Sequence, residues 1–310
     1  MAKLNSATLW DRTKSNGYFR LVLLSVSAII MAVLSTFPTP LALKALRFFR
    51  MGAPFDQKLV VGAALDPVAA LLCIATATVS LAAVAWGYTK LAGWLEDRRV
   101  TEFERQGSVS RCFSGVLFGI IVIAASMGLM FAAGAASFGL GQNFVMSSST
   151  IVPVLVVPVL EELIFRGVLF RILEEMFGTL IGLIVSSVLF GAAHLLNDNA
   201  TMLAASFLSI ELGALLAVAY VITRSLWLPI GLHAGWNFAL GNIFGAADSG
   251  TIVQGLLETK TSGHAILTGG AFGPEASIIT LSVSVLVLAP LIHHARSAGH
   301  WRPAPRSINA

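Results

Sequence analysis

The chain has 310 residues, of which 56% are hydrophobic and only 12% charged, with a net charge of +4. Soluble domains carry about 25% charged residues, and here the charges are segregated, which excludes a water-soluble domain with charge spread along its length. The Lys and Arg residues sit mainly at the ends of apolar runs, the flanking pattern of membrane spans rather than a nucleic-acid-binding surface.

Eight apolar runs are predicted as helices, each long enough to cross about 30 Å of hydrocarbon: residues 19–38, 66–92, 113–138, 151–176, 180–197, 201–223, 226–246 and 275–294. The fold class expected is therefore all-α, a polytopic membrane bundle. The first run follows Lys3, Arg12, Lys14 and Arg20 without a small-residue cleavage site, so it reads as a retained span rather than a signal peptide. A basic stretch at 44–58, with Lys44, Arg47, Arg50 and Lys58, fits an amphipathic interfacial segment. Cys73 and Cys112 give neither metal spacing nor a disulfide framework. Spans four to seven are joined by very short links and should be antiparallel neighbours. Gly178 is a helix-ending glycine, Asn197-Asp198-Asn199 a polar turn, Thr223-Arg224-Ser225 a break, and Pro229 falls in a first turn, where proline is tolerated.

A cytoplasmic N-terminus places most of the 20 Lys and Arg on that side, leaving Lys44, Arg47, Arg50, Lys58 and Lys260 on the other. Both termini are thus expected in the cytoplasm, in a bacterial inner membrane given the lack of an organelle-type signal. The organisation expected is an N-terminal set of about three spans (1–149), a core at 150–246 that holds the acids and histidines, and a last loop, span and tail (247–310).

Ionisable residues at membrane depth are costly and point to function. In Val159-Leu160-Glu161-Glu162-Leu163-Ile164-Phe165-Arg166, Glu162 and Arg166 are one helical turn apart and can neutralise each other. Glu161 lies about 100° further round and faces something else. This divides the acids into a supporting carboxylate, Glu162, and a chemical one, Glu161. If the chain turns at Gly178, Glu161 and His194 both lie about 25 Å from the turn, at one depth. Gly191, Ala192 and Ala193 would let the helices approach closely there. His233 and Asn237 share a helix face and could donate hydrogen bonds to an oxyanion, although His233 is only about 12 Å into its span. Glu211 is a further intramembrane acid that lines a cavity or meets solvent on the Arg224 side. A shielded Glu161 could act as general base on a water, with His194 orienting it. Alternatively Glu161, His194 and His233 could bind Zn2+, and Glu162 would then be the base. No helix carries the two-histidine zincin spacing.

Glu161-Glu162-x-x-x-Arg166, Phe190-x-x-x-His194 and His233-x-x-x-Asn237, the last preceded by Arg224-Ser225-Leu226-Trp227-Leu228-Pro229-Ile230, resemble the three motifs of the CPBP (Abi) intramembrane protease family. That family includes CAAX-prenyl endoproteases and bacterial members linked to bacteriocin maturation or immunity. The resemblance covers residues 150–246. It implies Glu161 as the water-activating base, His194 as its partner, His233 and Asn237 as the oxyanion hole, and Glu162 and Arg166 as support. It also implies a hydrolase that cuts a peptide bond in a prenylated protein or a leader or membrane peptide, with the metal-dependent and metal-free mechanisms both open. The rivals are a catalytically silent scaffold or immunity protein and a proton-coupled transporter. Against the transporter, the halves show no paired broken helices in repeated positions.

Overall fold

A computed structural model describes residues 16–39, 41–42, 67–141, 148–252 and 254–305. The 44–58 basic segment, and with it the expectation of an interfacial helix, lies outside the described residues.

Helices dominate. α1 (Gly17–Ser35) starts where the Asn16 side chain accepts from the Tyr18 and Phe19 amides, at 2.9 and 3.2 Å, satisfying two of the donors that every helix start exposes. α2 (Pro67–Glu96) and α3 (Ser108–Ala132) follow. A ribbon strand β1 (Ala136–Leu140) leads to the core: α4 (Ser148–Leu155), α5 (Val157–Glu162), a π-helical stretch Leu163–Phe170, and α6 (Arg171–Phe177). Gly178 then breaks the helix at φ +83. α7 (Thr179–Ala193) ends in a 3-10 turn, His194–Leu196. α8 (Met202–Leu208) and α9 (Leu215–Thr223) flank a second π stretch, Ser209–Ala214, and α10 (Trp227–Asn237) runs into a third, Phe238–Ile243. Short strands β2 (Ala247–Asp248) and β3 (Thr251–Ile252) pair with each other, β4 (Leu257–Thr261) pairs antiparallel with β1, and the short α11 (Ala265–Thr268) precedes the last long helix, α12 (Ile278–Ser297).

Each of the eight predicted runs holds helix, although the third stops at Ala132 and its end enters β1 at Ala136, and the expected breaks occur at Gly178 and at Arg224, which adopts φ +52. Six of the described helices are long and apolar enough to cross a membrane. The fourth and seventh runs are not among them. The fourth is divided between α4, α5, the π stretch and α6 and carries Glu161, Glu162, Arg166, Arg171, Glu174 and Glu175; the seventh is shortened by its π segment. Both carry catalytic candidates. The outward faces of α1, α2 and α3 expose large apolar side chains such as Val22, Leu71, Val79 and Ile121, as a lipid-facing surface requires.

The closest helix crossing joins α3 to α10 through glycines on both. A Cβ on Gly115 would stand 2.4 Å from the Leu228 carbonyl oxygen, and one on Gly119 2.2 Å from that of Leu232. Reciprocally, Gly231 and Gly235 sit against the carbonyls of Cys112 and Val116. Small residues four apart on each helix allow this backbone contact without help from a hydrophobic driving force, which lipid does not supply. The crossing fixes the axial position of α10, and with it His233.

One end of the bundle is tied by ion pairs. Glu96 meets Arg98 at 2.6 Å and Arg171 at 2.8 Å, and Glu102 meets Arg98 at 2.6 Å. Glu174 pairs with Arg224 and accepts from Thr179 at 2.6 Å. Burial opposes the Arg98 charge, but hydrogen bonds and attraction from Glu102 and Glu96 outweigh it and raise its pKa.

Gly119→Leu should lower the melting temperature in detergent substantially, because overpacking costs about 1–3 kcal/mol or more. Gly128→Leu, on the same helix with nothing within 4 Å of its missing Cβ, should leave it nearly unchanged. Equal melting temperatures for the two variants would refute the crossing.

Candidate functional site

Arg166 is fully buried in the first π stretch. Its Nη1 donates to Glu162 Oε1 at 2.8 Å and its Nη2 to the Gly213 carbonyl at 2.8 Å, with the guanidinium 4.5 Å from the centre of the Phe190 ring. The expected Glu162–Arg166 pair is therefore present, and it extends to two further elements. Glu162 Oε1 also meets His233 Nδ1 at 3.1 Å. A carboxylate only accepts, so in the neutral imidazole Nδ1 carries the proton and Nε2 is left free. That Nε2 lies 4.0 Å from Glu161 Oε2, a separation that one water can bridge.

Glu161 is set apart from Glu162 as the helix geometry predicts. Glu162 is fully buried, whereas the Glu161 side chain is 27% exposed, and its Oε2 has no hydrogen-bond partner. It is His233, rather than His194, that stands within 4.0 Å of Glu161. His194 is held differently. Its Nδ1 donates to the Phe190 carbonyl at 2.8 Å, and Phe190 packs against both His194 and His233, with centroids 4.8 and 6.0 Å away. The neutral His194 ring thus has Nε2 as an acceptor. Asn237 donates from Nδ2 to the Pro153 carbonyl at 2.9 Å, and its Oδ1 has no partner.

The depth mismatch between His233 and Glu161 resolves once the helices are aligned by their contacts. A Cβ on Gly182 would stand 3.0 Å from the Glu174 amide nitrogen, so these two residues are level. Glu162 and His194 then each lie about 18 Å from that level along their own helices. Arg224 reaches Glu174, so α10 also starts near the Glu174 level, well inside the Gly178 turn. His233 therefore lies deeper than its distance from the helix start suggests. Gly191 makes a close approach to a different neighbour from the one expected: a Cβ there would stand 2.2 Å from the carbonyl oxygen of Ala205 on α8, not against the helix that carries Glu161.

Two acids that were not singled out in the sequence complete the surroundings. Glu275 is fully buried and accepts from Trp236 Nε1 at 2.8 Å and from the Ser249 amide and hydroxyl at 2.6 and 2.8 Å. It pins the 245–250 loop over the end of α10. Burial pushes the Asp248 carboxyl well up, and the charges of Glu275 and Glu161 push it in the same direction. Their signal in the sequence was that they are acids in a stretch with few charges, but the contacts with Trp236 and Ser249 are long-range. Glu211 sits in the second π stretch, fully buried, with neither carboxyl oxygen hydrogen-bonded; it faces neither a solvent-filled opening nor Arg224.

The expected Zn2+ ligands do not converge. Among the described residues no group of three or more His, Cys, Asp or Glu side chains is placed to hold a metal ion. Glu161, His194 and His233, the expected ligands, are not brought together as such a group. An apolar hollow of about 520 Å³ between α1 and α2, lined by residues such as Met31, Leu34, Val79 and Val84, lies apart from these groups.

Residues 143–239 match the family model described as Type II CAAX prenyl endopeptidase Rce1-like. Over these residues, under a third of the chain, the core is similar to the CAAX protease family. A comparison with the curated proteins finds no match. The family match spans every motif residue, from Glu161 to Asn237, and extends upstream to include Pro153, the Asn237 partner. The similarity supports a CAAX-type protease core, and the six long apolar helices support an integral membrane protein.

Arg166→Met should destabilise the fold by about 3–5 kcal/mol, because it leaves Glu162 buried without its cation, and the double variant Glu162→Gln/Arg166→Met should recover part of that loss. An additive double variant in thermal denaturation would contradict the pairing. Glu211→Gln should keep or raise the melting temperature, since it replaces a buried carboxyl that has no hydrogen-bond partner with a group that never carries charge. A clear loss of stability would reveal a structural partner for Glu211.

Proposed function

We propose that the core hydrolyses a peptide bond in a membrane-associated polypeptide, using a water activated by Glu161. The observation that carries this reading is the Glu161 carboxylate, on a side chain 27% exposed, with its Oε2 buried, unpartnered and 4.0 Å from His233 Nε2. Water bound at Glu161 gives its proton to the carboxylate as its oxygen attacks the scissile carbonyl carbon. In this reading His194, whose Nε2 is an acceptor while Nδ1 donates to Phe190, accepts from that water and orients it. The carbonyl oxygen becomes an oxyanion. The second amide hydrogen of Asn237, beyond the one given to Pro153, can bind it. In its doubly protonated form His233 adds Nε2–H, with Nδ1–H held by Glu162. The C–N bond then breaks, and the proton held by Glu161 passes to the leaving amine. Atoms and charge balance without a metal step. Glu162 and Arg166 position His233 and do not touch the substrate.

The substrate is a peptide at the bilayer, either the C-terminal segment of a prenylated protein or a leader or membrane peptide, and the host membrane is a bacterial inner membrane. Purified protein in detergent should cut a member of a panel containing a prenylated reporter and unmodified membrane peptides. Glu161→Gln should reduce the rate by about 10²–10⁴-fold, the usual contribution of general base catalysis, with an unchanged melting temperature. If the wild type cuts nothing in the panel, or Glu161→Gln cuts as well as the wild type, the reading fails.

A further inference from the structure

The two ends of the bundle differ in charge, and the site is close to only one of them. At the first end lie the loop after α2, the Gly178 turn, the Arg224 turn and the residues after α12. They are joined by the Arg224–Glu174 pair, by the Leu226 amide donating to the Glu102 carbonyl at 2.9 Å, and by the Arg302 amide donating to Thr179 Oγ1 at 2.8 Å. This end holds Arg99, Arg105, Arg111, Arg171, Arg224 and Arg302. At the second end lie the 197–199 turn, the β1–β4 ribbon and the 245–277 loop, joined by Asn197 Nδ2 donating to the Ser249 carbonyl at 3.0 Å and the Ser262 amide to that of Ala135 at 3.0 Å. Among the described residues of this second end, Lys260 is the single Lys or Arg; Lys44, Arg47, Arg50 and Lys58, between α1 and α2, lie outside the described residues, and with them this side holds five of the chain's 20.

The catalytic candidates belong to the second end. His194 opens the 3-10 turn that leads directly into Asn197. Asn237 follows Trp236, which is fixed through Glu275 to Ser249. Glu161 and His194 lie about 18 Å or more from the Glu174 level, on the far side of the middle of a layer about 30 Å thick. Positively charged flanks remain in the cytoplasm.

We infer that the site opens to the non-cytoplasmic side of the membrane, so that its substrate is a polypeptide whose scissile bond has already crossed the bilayer or was inserted from outside. The choice of substrate rests on the protease reading; the orientation does not. It follows that the C-terminus of a cytoplasmic prenylated protein does not reach Glu161 directly, and that exported or membrane-inserted peptides do. The outer wall of the site is the β2–β3 hairpin and the 245–250 loop, and Thr251 on β3, whose register partner is Asp248, is exposed.

Labelling with a membrane-impermeant maleimide tests this without any need for activity. In full-length protein with Cys73→Ala and Cys112→Ser, T251C and, as a second reporter on the ribbon, T261C should be labelled in intact spheroplasts. Q106C, exposed on the loop after α2, should lose labelling in intact spheroplasts and regain it on permeabilisation. Protection of T251C and T261C together with labelling of Q106C, or equal labelling of all three in intact spheroplasts, overturns the inference. Because the readout is chemical access, a failed cleavage assay leaves this result standing, and the reverse also holds.

Discussion

A buried guanidinium organises this core. Arg166 has no access to water, and an unpaired cation in such a place would cost several kcal/mol. Its Nη1 and Nη2 find partners only if four separate pieces of chain converge: Glu162 on its own helix, the Leu212–Gly213 backbone of the second π stretch, the Phe190 ring on α7 and, through Glu162, His233 on α10. Three of those pieces carry a motif residue, and the fourth adjoins the buried Glu211. The charge that is expensive to bury is thus the device that brings Glu161, His194 and His233 to one place. A breathing helix bundle would separate them; a charge that loses its partners when they separate opposes the motion.

The irregular helices serve the same end. Each π stretch adjoins a working group: Leu163–Phe170 begins directly after Glu162, Ser209–Ala214 holds Glu211 and supplies the Gly213 carbonyl, and Phe238–Ile243 begins directly after Asn237. A π turn widens the helix and weakens its own hydrogen-bond ladder, which is why it concentrates at functional sites. Here the widened turn at Gly213 leaves a carbonyl for Arg166. In lipid such a free backbone acceptor has to find a partner within the protein, so the irregular backbone and the buried arginine each satisfy the other.

Much of this was legible in the sequence, for reasons that are local. The Glu162–Arg166 pair follows from one helical turn, the separate roles of the two glutamates from the angle between neighbours, and the level of His194 from counting residues to a glycine turn. What the sequence did not show depended on contacts between distant segments. His233 seemed too shallow because the count began at a turn that is not level with Gly178. The reciprocal glycines of α3 and α10 were invisible until the two helices were seen to cross, since a glycine spaced by four on one helix says nothing of its partner. Asp248 and Glu275 were passed over because no motif contains them, and only Trp236 and Ser249, far away in sequence from Glu275, show what Glu275 does.

The protein holds its acids under unequal conditions, and that inequality is what allows one of them to work. Glu162 shares one oxygen between Arg166 and His233 and has the other sealed from solvent, and Glu275 is saturated by three donors. Glu211 is sealed from solvent. Of these four acids, Glu161 alone has a partly exposed side chain, with its Oε2 buried and unpartnered, and a base needs access to water as well as capacity for its proton. The cation nearest to these acids, Arg166, is already engaged by Glu162 and the Gly213 carbonyl. In the proposed reaction the oxyanion therefore depends on the hydrogen atoms of Asn237 and His233 on α10, a helix whose position is set by the glycine crossing to α3.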